Sequence, residues 1–600
     1  MQKDGTVRNA LLVSSGDGPC GPALRQFLAR LEKCYLRKDE HLAKTGAARP
    51  ADHRRNLYSL QLANLRLRWL TLSAAPPQIT VIGPTQAGKS SVINWLLGES
   101  AAVASPLAGF TRHPQGFAYG YEGTAVSTLH RYFEPLQPRP ISELPAEDFR
   151  FFGFEPVRAG LPRLGCPVTV WDTPDFDSID SERYRDGLLR AIALSDLLVC
   201  VLSKDKYADQ SVWELLAMIE PLGIPGLICL NKTPAAAAET VVRSLTGKWS
   251  QMRRDATPPI VALPYLGADA LEPPGVDALV DAARTLLRQT DRPRQPLGLQ
   301  RFLRANWENW LAPVRVEQKA QQEWRTLVGR TVASANRIYR RDYLDHPHHY
   351  ETFQRALAEL LTLLEIPGVA RVLTQMRRIM TWPVRQIGQF GRRWRPDAAN
   401  LGSEQSVLQQ TALHVMLTLR QEVAEIAENA TETRPWWLAL GRELGRRQAV
   451  AIDLFSQAAS AYAREFEPEV EKTAHALYDR LGEHPAVLNS LRATRVTTDA
   501  AALAVGLHTG GIGLQDFVIA PAILSLTSLL TESALGHYVQ RAAEDLKRRQ
   551  AAAVSGLFDD HLAANLLRLP EDMPYDTGFF IPVDVIEAAE RELAGTSRTS

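Results

Sequence analysis

The feature that most constrains this chain is the glycine-rich segment Gly83-Pro-Thr-Gln-Ala-Gly-Lys-Ser90, which follows the apolar run Ile79–Ile82 and precedes a helix-like stretch from Ser91. The pattern GxxxxGK[ST] between a strand and a helix is typical of a phosphate-binding loop. Its glycines let backbone N–H groups curl around phosphate oxygens, and the helix N-terminus adds a favourable dipole. The alternative is a glycine-rich turn that matches by chance, but such a turn does not require a flanking strand and helix.

The polar residues of this loop have distinct predicted roles. Lys89 is placed to reach the β- and γ-phosphates of a nucleotide, and the Ser90 hydroxyl is placed to take a position around a magnesium ion. The other predicted nucleotide contacts in this segment are Gly83, Pro84, Thr85, Gln86, Ala87, Gly88 and Ser91.

Three features farther along the chain narrow the class of phosphate-binding protein. Asp172 follows an apolar strand, where a carboxylate meets the magnesium shell, and Thr111 lies in a loop-like stretch suited to a switch threonine. Asn231-Lys232 ends another strand, where an asparagine and a lysine can bracket a purine base. Each feature alone is weak, since such dipeptides are usually turns, but their order and spacing together indicate a nucleotide site.

With these motifs, residues 78–290 resemble a GTPase domain of the translation-factor class. The stretch Thr111-Arg-His-Pro114 and the loop ending Ala87-Gly-Lys-Ser-Ser91 are similar to the dynamin-like subgroup, in its bacterial form. The resemblance implies GTP or GDP and Mg²⁺ as ligands, and hydrolysis by in-line attack of water. It also implies metal-shell roles for Ser90, Thr111 and Asp172, and catalytic roles for Lys89, Gln86 and Thr111.

The sequence departs from this family at three positions. Asp175 stands where the DxxG motif has glycine, and its carboxylate should disfavour a triphosphate unless it turns away. Phe176 stands where many small GTPases carry a water-orienting glutamine, so Gln86 or a partner would have to supply that function. Pro234 replaces the carboxylate of NKxD that reads guanine, so a preference for GTP is implied by the family rather than by the residues.

The alternation of apolar runs with helical stretches predicts an α/β P-loop domain, with a mostly parallel sheet covered by helices on both faces. Later leucine and alanine spacing predicts a large all-α bundle or stalk. We also predict one helical segment over 22–73 and an antiparallel strand pair from 117–121 and 126–133. The predicted domains are 1–76 (N-terminal helical segment), 77–292 (GTPase domain), 293–500 (bundle), 501–545 (apolar hairpin) and 546–600 (C-terminal helix and tail).

Composition narrows the partners little, because 67 acidic and 68 basic residues nearly cancel. The five scattered cysteines have no metal-ligand spacing and favour a reducing compartment. The N-terminus lacks a sustained apolar stretch of the secretory type, so we expect a cytoplasmic protein, with peripheral attachment at the inner face of a membrane as an option.

Two later segments raise the question of membrane contact. Residues 370–396 carry seven arginines and no acid before Asp397, interleaved with tryptophans, which suits an anionic membrane, nucleic acid or a solvated bundle edge. Residues 501–531 form an apolar stretch split by Asp516 into arms shorter than the roughly 20 residues that span a bilayer. This stretch is either a membrane-dipping hairpin or a buried core hairpin.

These features and the resemblance favour a GTP-binding protein of dynamin-like type with slow hydrolysis, which couples its nucleotide state to the helical stalk, with coupling to membrane association as an option. The expected partners are the nucleotide, a second copy of the chain through the nucleotide domain, and an anionic membrane. Three other functions stay open: a soluble regulatory GTPase acting on a protein, a pseudo-GTPase scaffold, and a nucleic-acid-dependent NTPase. The last rests only on the arginine cluster and is the least supported.

Overall fold

The structure, a computed structural model, describes residues 20–46, 50–72, 75–103, 111–120, 124–157, 163–176, 184–253, 255–264, 272–290, 292–345, 351–363, 404–485, 536–573 and 578–595. The chain divides into two compact units, Met1–Arg315 with Gly578–Ser600, and Val316–Thr577. This division differs from the predicted boundaries in two ways. Residues 578–600, the end of the predicted C-terminal segment, belong to the first unit, and the two units divide inside a long helix rather than at residue 292.

The first unit contains an eight-stranded sheet. Its strands are β1 Gln78–Ile82, β2 Gln115–Tyr119, β3 Gln137–Arg139, β4 Phe151–Val157, β5 Val168–Asp172, β6 Leu197–Ser203, β7 Gly226–Thr233 and β8 Ile260–Pro264. The spatial order is β3-β4-β2-β5-β1-β6-β7-β8, and every neighbouring pair is parallel except β2 with β5. The sequence contains five apolar runs that predict buried strands, and each lies in a strand of this sheet: Ile79–Ile82 in β1, Val168–Trp171 in β5, Leu197–Leu202 in β6, Leu227–Leu230 in β7 and Ile260–Leu263 in β8.

The described helices, in chain order, have the following bounds: α1 Pro22–Thr45, α2 Ala51–Leu70, α3 Lys89–Leu97, α4 Thr124–Phe133, α5 Arg185–Ala193, α6 Gln210–Ile219, α7 Ala235–Met252, α8 Val276–Gln289, α9 Gln295–Tyr339, α10 Glu351–Leu363, α11 Glu404–Asn429, α12 Arg434–Glu465, α13 Glu467–Gly482, α14 Gly536–Phe558, α15 Ala564–Arg568 and α16 Val583–Gly595. Short π-helical turns occur at Arg340–Leu344 and Asp559–Ala563. No helix in these described parts of the chain is both long and apolar enough to cross a membrane.

The central strand β6 shows why the sheet is covered on both faces. Successive side chains of a strand point to opposite faces, so a strand buried on both sides is apolar throughout. Leu197, Val199 and Val201 join one buried apolar cluster, and Leu198 and Cys200 join the other. The predicted fold class, a mostly parallel α/β domain together with a large helical region, is confirmed.

The prediction of a strand over 126–133 is wrong, because these residues lie in helix α4. Leu129 and Phe133 are four positions apart, which places them on one helical face, and both are buried. Phe133 stacks on Trp171 with ring centroids 4.7 Å apart. Strand β2 instead pairs antiparallel with β5 and parallel with β4.

The N-terminal helical segment is two helices rather than one. Gly46 ends α1 in the left-handed region, at a φ of 67°, and Pro50 immediately precedes α2. A left-handed glycine is a common helix C-terminus, and a proline can precede but not continue a helix, so the break has a local cause.

The C-terminal helix α16 packs against α1 within the first unit. The Glu592 carboxylate accepts hydrogen bonds from the backbone N–H groups of Ala23 (3.2 Å) and Leu24 (2.8 Å), which are otherwise unpaired in the first turn of a helix. The Cys34 thiol donates to the Phe579 carbonyl at 3.3 Å. These contacts explain why the last segment belongs to the first unit rather than forming a separate tail.

The second unit is helical and contains a polar network among its helices. The Glu404 carboxylate accepts hydrogen bonds from the Tyr339 hydroxyl (2.7 Å), the Tyr462 hydroxyl (3.0 Å) and the Gln550 amide (2.7 Å). Burial, reinforced by Glu404, raises the pKa of Tyr339 and of Tyr462 well above the ordinary value, so both remain donors. One carboxylate therefore ties α9, α11, α12 and α14 together.

The two segments on which the membrane predictions rest, 370–396 and 501–531, lie outside the described residues. The predictions made for them therefore stay predictions.

We expect Glu404→Ala to lower the free energy of unfolding by about 3 kcal/mol, because it leaves three donors of the network without their acceptor. Urea denaturation followed by far-UV circular dichroism measures the change. The matched control is Glu425→Ala, an exposed carboxylate on the same helix, which should change stability by less than about 0.5 kcal/mol. Equal stability of the two variants would contradict a structural role for the network.

Candidate functional site

The glycine-rich loop runs from the end of β1 to the start of α3, and both of its glycines are sterically required. A Cβ atom at Gly83 would overlap the backbone carbonyl oxygen of Val201 on the neighbouring strand β6. Gly88 has a φ of 91°, a left-handed conformation that side chains disfavour, and a Cβ there would overlap the Asn231 amide. The loop is thus held closely against the carboxyl ends of β6 and β7.

The Lys89 side chain is the cationic group at the centre of the loop. Its ammonium donates to the Gly83 carbonyl at 3.2 Å and forms an ion pair with the Asp175 carboxylate. The two side chains are only 6 % and 9 % exposed, so this pair is shielded from water. The sequence marked Asp175 as a source of repulsion toward phosphate but not as the partner of Lys89.

Asp172, at the end of β5, forms hydrogen bonds with the other two predicted metal-shell residues. Its Oδ2 accepts hydrogen bonds from the Ser90 hydroxyl (2.7 Å) and from the Thr111 hydroxyl (3.4 Å). Its Oδ1 is buried and has no hydrogen-bond partner among the described residues. Burial raises the pKa of Asp172, while the charge of Lys89 and the Ser90 and Thr111 hydrogen bonds act in the opposite direction.

This donor set fits the magnesium ion that the sequence predicts. Mg²⁺ binds oxygen ligands, usually one or two protein carboxylates together with substrate phosphates and water. One carboxylate and two hydroxyls converge here, and the unpartnered Oδ1 of Asp172 is the kind of buried oxygen atom that calls for a cation or water. Ser90, Thr111 and Asp172 are the residues that would hold the ion.

The end of β7 clamps the same loop from the other side. The Asn231 amide donates to the Ala87 carbonyl at 2.9 Å, and the Lys232 ammonium donates to the Gln86 carbonyl at 2.8 Å. Pro234 immediately follows the strand and precedes the first turn of α7. The predicted base-contacting residues therefore lie beside the predicted phosphate loop.

Four further predicted residues differ in their placement. Gln86 is exposed, with a φ of 62°, whereas Pro84 is buried. Thr85 is half-buried in the loop, and Ser91 is half-buried in the first turn of α3. Of this set, Gln86 is the exposed residue.

Phe176, which follows Asp175, is buried in the apolar cluster beneath the sheet. A phenyl ring cannot orient water through hydrogen bonds, and this one points into the core. Thr173, two residues before Asp175, is fully buried and donates its hydroxyl to the Val81 carbonyl at 2.7 Å. Asp175 therefore lies between two anchored residues, a placement that only the fold reveals.

We expect Gly83→Ala to lower the free energy of unfolding by about 1–3 kcal/mol, because a backbone carbonyl cannot yield to the added methyl group as a flexible side chain would. The matched control is Gly247→Ala within α7, where no atom beyond the neighbouring residues and backbone of the same helix lies within 4 Å of the added carbon. That change should raise stability by up to about 1 kcal/mol. Chemical denaturation tests the pair, and an unaltered stability of Gly83→Ala would contradict the tight packing of the loop.

Comparison with known proteins finds a family match that covers the residues of this site from β1 to Lys232 in β7. Residues 78–232 match the family model described as 50S ribosome-binding GTPase. GTPase Der of Rhodopseudomonas palustris (strain HaA2) is 24 % identical over 213 residues, which cover 35 % of this chain and 37 % of that protein. GTPase Der of Bradyrhizobium sp. (strain ORS 278) is 25 % identical over 213 residues, covering 35 % and 38 %. The aligned region therefore spans little more than a third of these relatives.

Two solved structures are similar in part. Era in complex with MgGDPNP and nucleotides of 16S ribosomal RNA has 16 % identity and a TM-score of 0.24, covering 36 % of this chain and 57 % of that one. A chain from an oligomerised bacterial dynamin pair has 11 % identity and a TM-score of 0.35, covering 91 % and 96 %. Scores of this size do not establish a shared overall architecture. The family match and the loop, sheet order and strand-end residues agree on one point: residues 78–232 form a P-loop G domain of the GTPase type.

Proposed function

We propose that this protein binds GTP with Mg²⁺ and hydrolyses it slowly. The observation that carries the proposal is the convergence of Lys89, Ser90, Thr111 and Asp172 at one loop, with Asn231 and Lys232 clamping that loop from the strand that ends beside it. The family match over 78–232 supports the same class of ligand.

Each group has a chemical role in this proposal. The N–H groups of the loop and of the first turn of α3 donate to phosphate oxygens, and Lys89 neutralises charge that develops on the transferred phosphoryl group. Ser90, Thr111 and Asp172 would hold the metal ion, which when bound would supply positive charge that offsets the negative charge of the phosphates. Water attacks the γ-phosphorus in line with the β–γ bridging oxygen, the bond to that oxygen breaks, and the products are GDP and inorganic phosphate.

The rate is proposed to be low because the usual water-orienting side chain is replaced. Phe176 is buried and has no hydrogen-bonding group. The exposed Gln86 and the Thr111 backbone are the nearby candidates for positioning water. If the protein binds nucleotide but never turns it over, the pseudo-GTPase scaffold is the better description, and the burial of Phe176 is the observation that favours it.

Lys89→Ala should abolish detectable binding of a fluorescent GTP analogue, because it removes the cation facing the phosphates. Fluorescence titration in the presence of Mg²⁺ measures affinity, and far-UV circular dichroism checks folding. Lys33→Ala, an exposed lysine on α1 in the same unit, is the matched control and should bind as the wild type does. Undiminished affinity in a folded Lys89→Ala protein would remove the proposed site.

Base selection is the next element of the proposal. Pro234 stands where a guanine-reading carboxylate is expected, so GTP should outcompete ATP only modestly. A hydrogen bond to a charged group contributes roughly 1.5–3 kcal/mol, which corresponds to about 10- to 150-fold in affinity.

Pro234→Asp should therefore increase the ratio of GTP to ATP affinity by about tenfold or more. Aspartate suits this position because residue 234 immediately precedes the first turn of α7, where acidic caps are favourable. Pro234→Ala is the control that removes the proline without adding a carboxylate, and it should leave the ratio unchanged. Competition titrations decide, and an ATP preference in the wild type would contradict guanine as the base.

The finer proposal is dynamin-like coupling between the nucleotide and the helices. Its support is the fully buried Asp196, which immediately precedes β6. Its carboxylate accepts from the Gln78 backbone N–H at 2.8 Å, from Arg292 at 2.6 Å and from Gln295 at 2.7 Å. Strand β1, which leads into the loop, is thereby tied to the start of the long helix α9.

Under this proposal, turnover per molecule should rise with protein concentration as nucleotide domains associate, and anionic liposomes should raise it further if segment 501–531 contacts lipid. The measurement is phosphate release across a range of protein concentrations, with anionic, neutral and no liposomes. A rate that depends on none of these variables would favour the soluble regulatory GTPase that acts on a protein partner.

A further inference from the structure

The ion pair between Lys89 and Asp175 bears on which nucleotide the site prefers. Lys89 is the cation that the proposed function assigns to phosphate, yet its ammonium faces a carboxylate of its own chain. An ammonium has three donors, and here Asp175 and the Gly83 carbonyl engage it. A phosphate group reaching Lys89 has to compete with an anion that is already in place.

The position of Asp175 is fixed by its neighbours. Thr173 is anchored to β1 through its hydroxyl, and Phe176 is anchored in the apolar cluster. The backbone of Asp175 cannot move far without extracting the Phe176 ring from the core. Release of Lys89 therefore falls mainly to rotation of the Asp175 side chain, which leaves the carboxylate near the phosphates.

The charges around Lys89 affect the affinity for a nucleoside triphosphate more than the affinity for a diphosphate. Two carboxylates, Asp172 and Asp175, lie near the single ammonium of Lys89. A metal ion at Asp172 compensates one of them, but a γ-phosphate adds negative charge close to the other. Interactions between charges in a site shielded from water are much stronger than those at the surface.

From this geometry we infer that Asp175 is a specificity-determining residue, a tethered competitor for phosphate that lowers the affinity for nucleoside triphosphate more than for diphosphate. The inference rests on the proposed function, because it presupposes that Lys89 meets the nucleotide phosphates. The glycine that the DxxG motif has at this position is neutral and would not compete with phosphate for Lys89, whereas the Asp175 carboxylate does.

The test compares Asp175→Asn, which has the same shape without the charge, with wild type in calorimetric titrations of GDP and of a non-hydrolysable GTP analogue, both with Mg²⁺. We expect affinity for the GTP analogue to rise by about tenfold or more, and affinity for GDP to rise less, since a charged partner is removed from a buried cation. Asp175→Glu keeps the charge and should keep the wild-type ratio. Glu308→Gln, the same chemical change on an exposed residue of α9, is the surface control.

Thermal unfolding without nucleotide gives a second readout. Asp175→Asn leaves the Lys89 ammonium without its anion, so its Tm should fall, and the GTP analogue should raise that Tm more than it raises the Tm of the wild type.

The outcomes separate the two proposals. Wild-type protein that binds nucleotide, with an unchanged ratio of GTP to GDP affinity in Asp175→Asn, would overturn the role of Asp175 and leave the proposed function intact. Failure of both proteins to bind any nucleotide would overturn the proposed function, and this inference with it.

Discussion

A buried ammonium group is stable only when its charge is compensated, and the organisation of the G domain depends on how the Lys89 ammonium is paired with an anion. The group sits at the N-terminus of α3, among loop carbonyls and two carboxylates, where water cannot screen it. A glycine loop is needed to bring the backbone this close to β6 and β7, and parallel strands are needed to deliver Asp172 and Asn231 to the same edge. The partner anion is Asp175 in the chain alone and, under the proposed function, phosphate in the complex.

This arrangement links the site to the rest of the first unit. The strand that enters the loop, β1, begins at Gln78, whose backbone N–H is bound by the buried Asp196 carboxylate. The same carboxylate accepts hydrogen bonds from Gln295, the first residue of α9, and from Arg292 in the turn just before it. A movement of the loop that shifts β1 would therefore strain the hydrogen bonds between Asp196 and the start of α9. These bonds are the physical basis for proposing that the nucleotide state affects the helical region.

The elements that could be predicted from the sequence are those whose signal is local. Strands such as β6 are continuous apolar runs because both faces are buried, and the loop motif carries its own strand and helix. Helix α4 was not predicted, because its buried Leu129 and Phe133 fit an aromatic-rich strand almost as well as a helical face. The packing of α16 on α1, through residues more than 500 positions apart, and the Lys89–Asp175 pair depend on tertiary structure alone.

The most direct test of the central claim is a crystal structure of the protein with Mg²⁺ and a non-hydrolysable GTP analogue. The account predicts phosphates against Lys89, with the Asp175 carboxylate rotated off the ammonium. It also predicts the metal ion among Ser90, Thr111 and Asp172, and the base beside Asn231 and Lys232. A nucleotide bound elsewhere, or a Lys89–Asp175 pair left intact beneath a bound triphosphate, would contradict it.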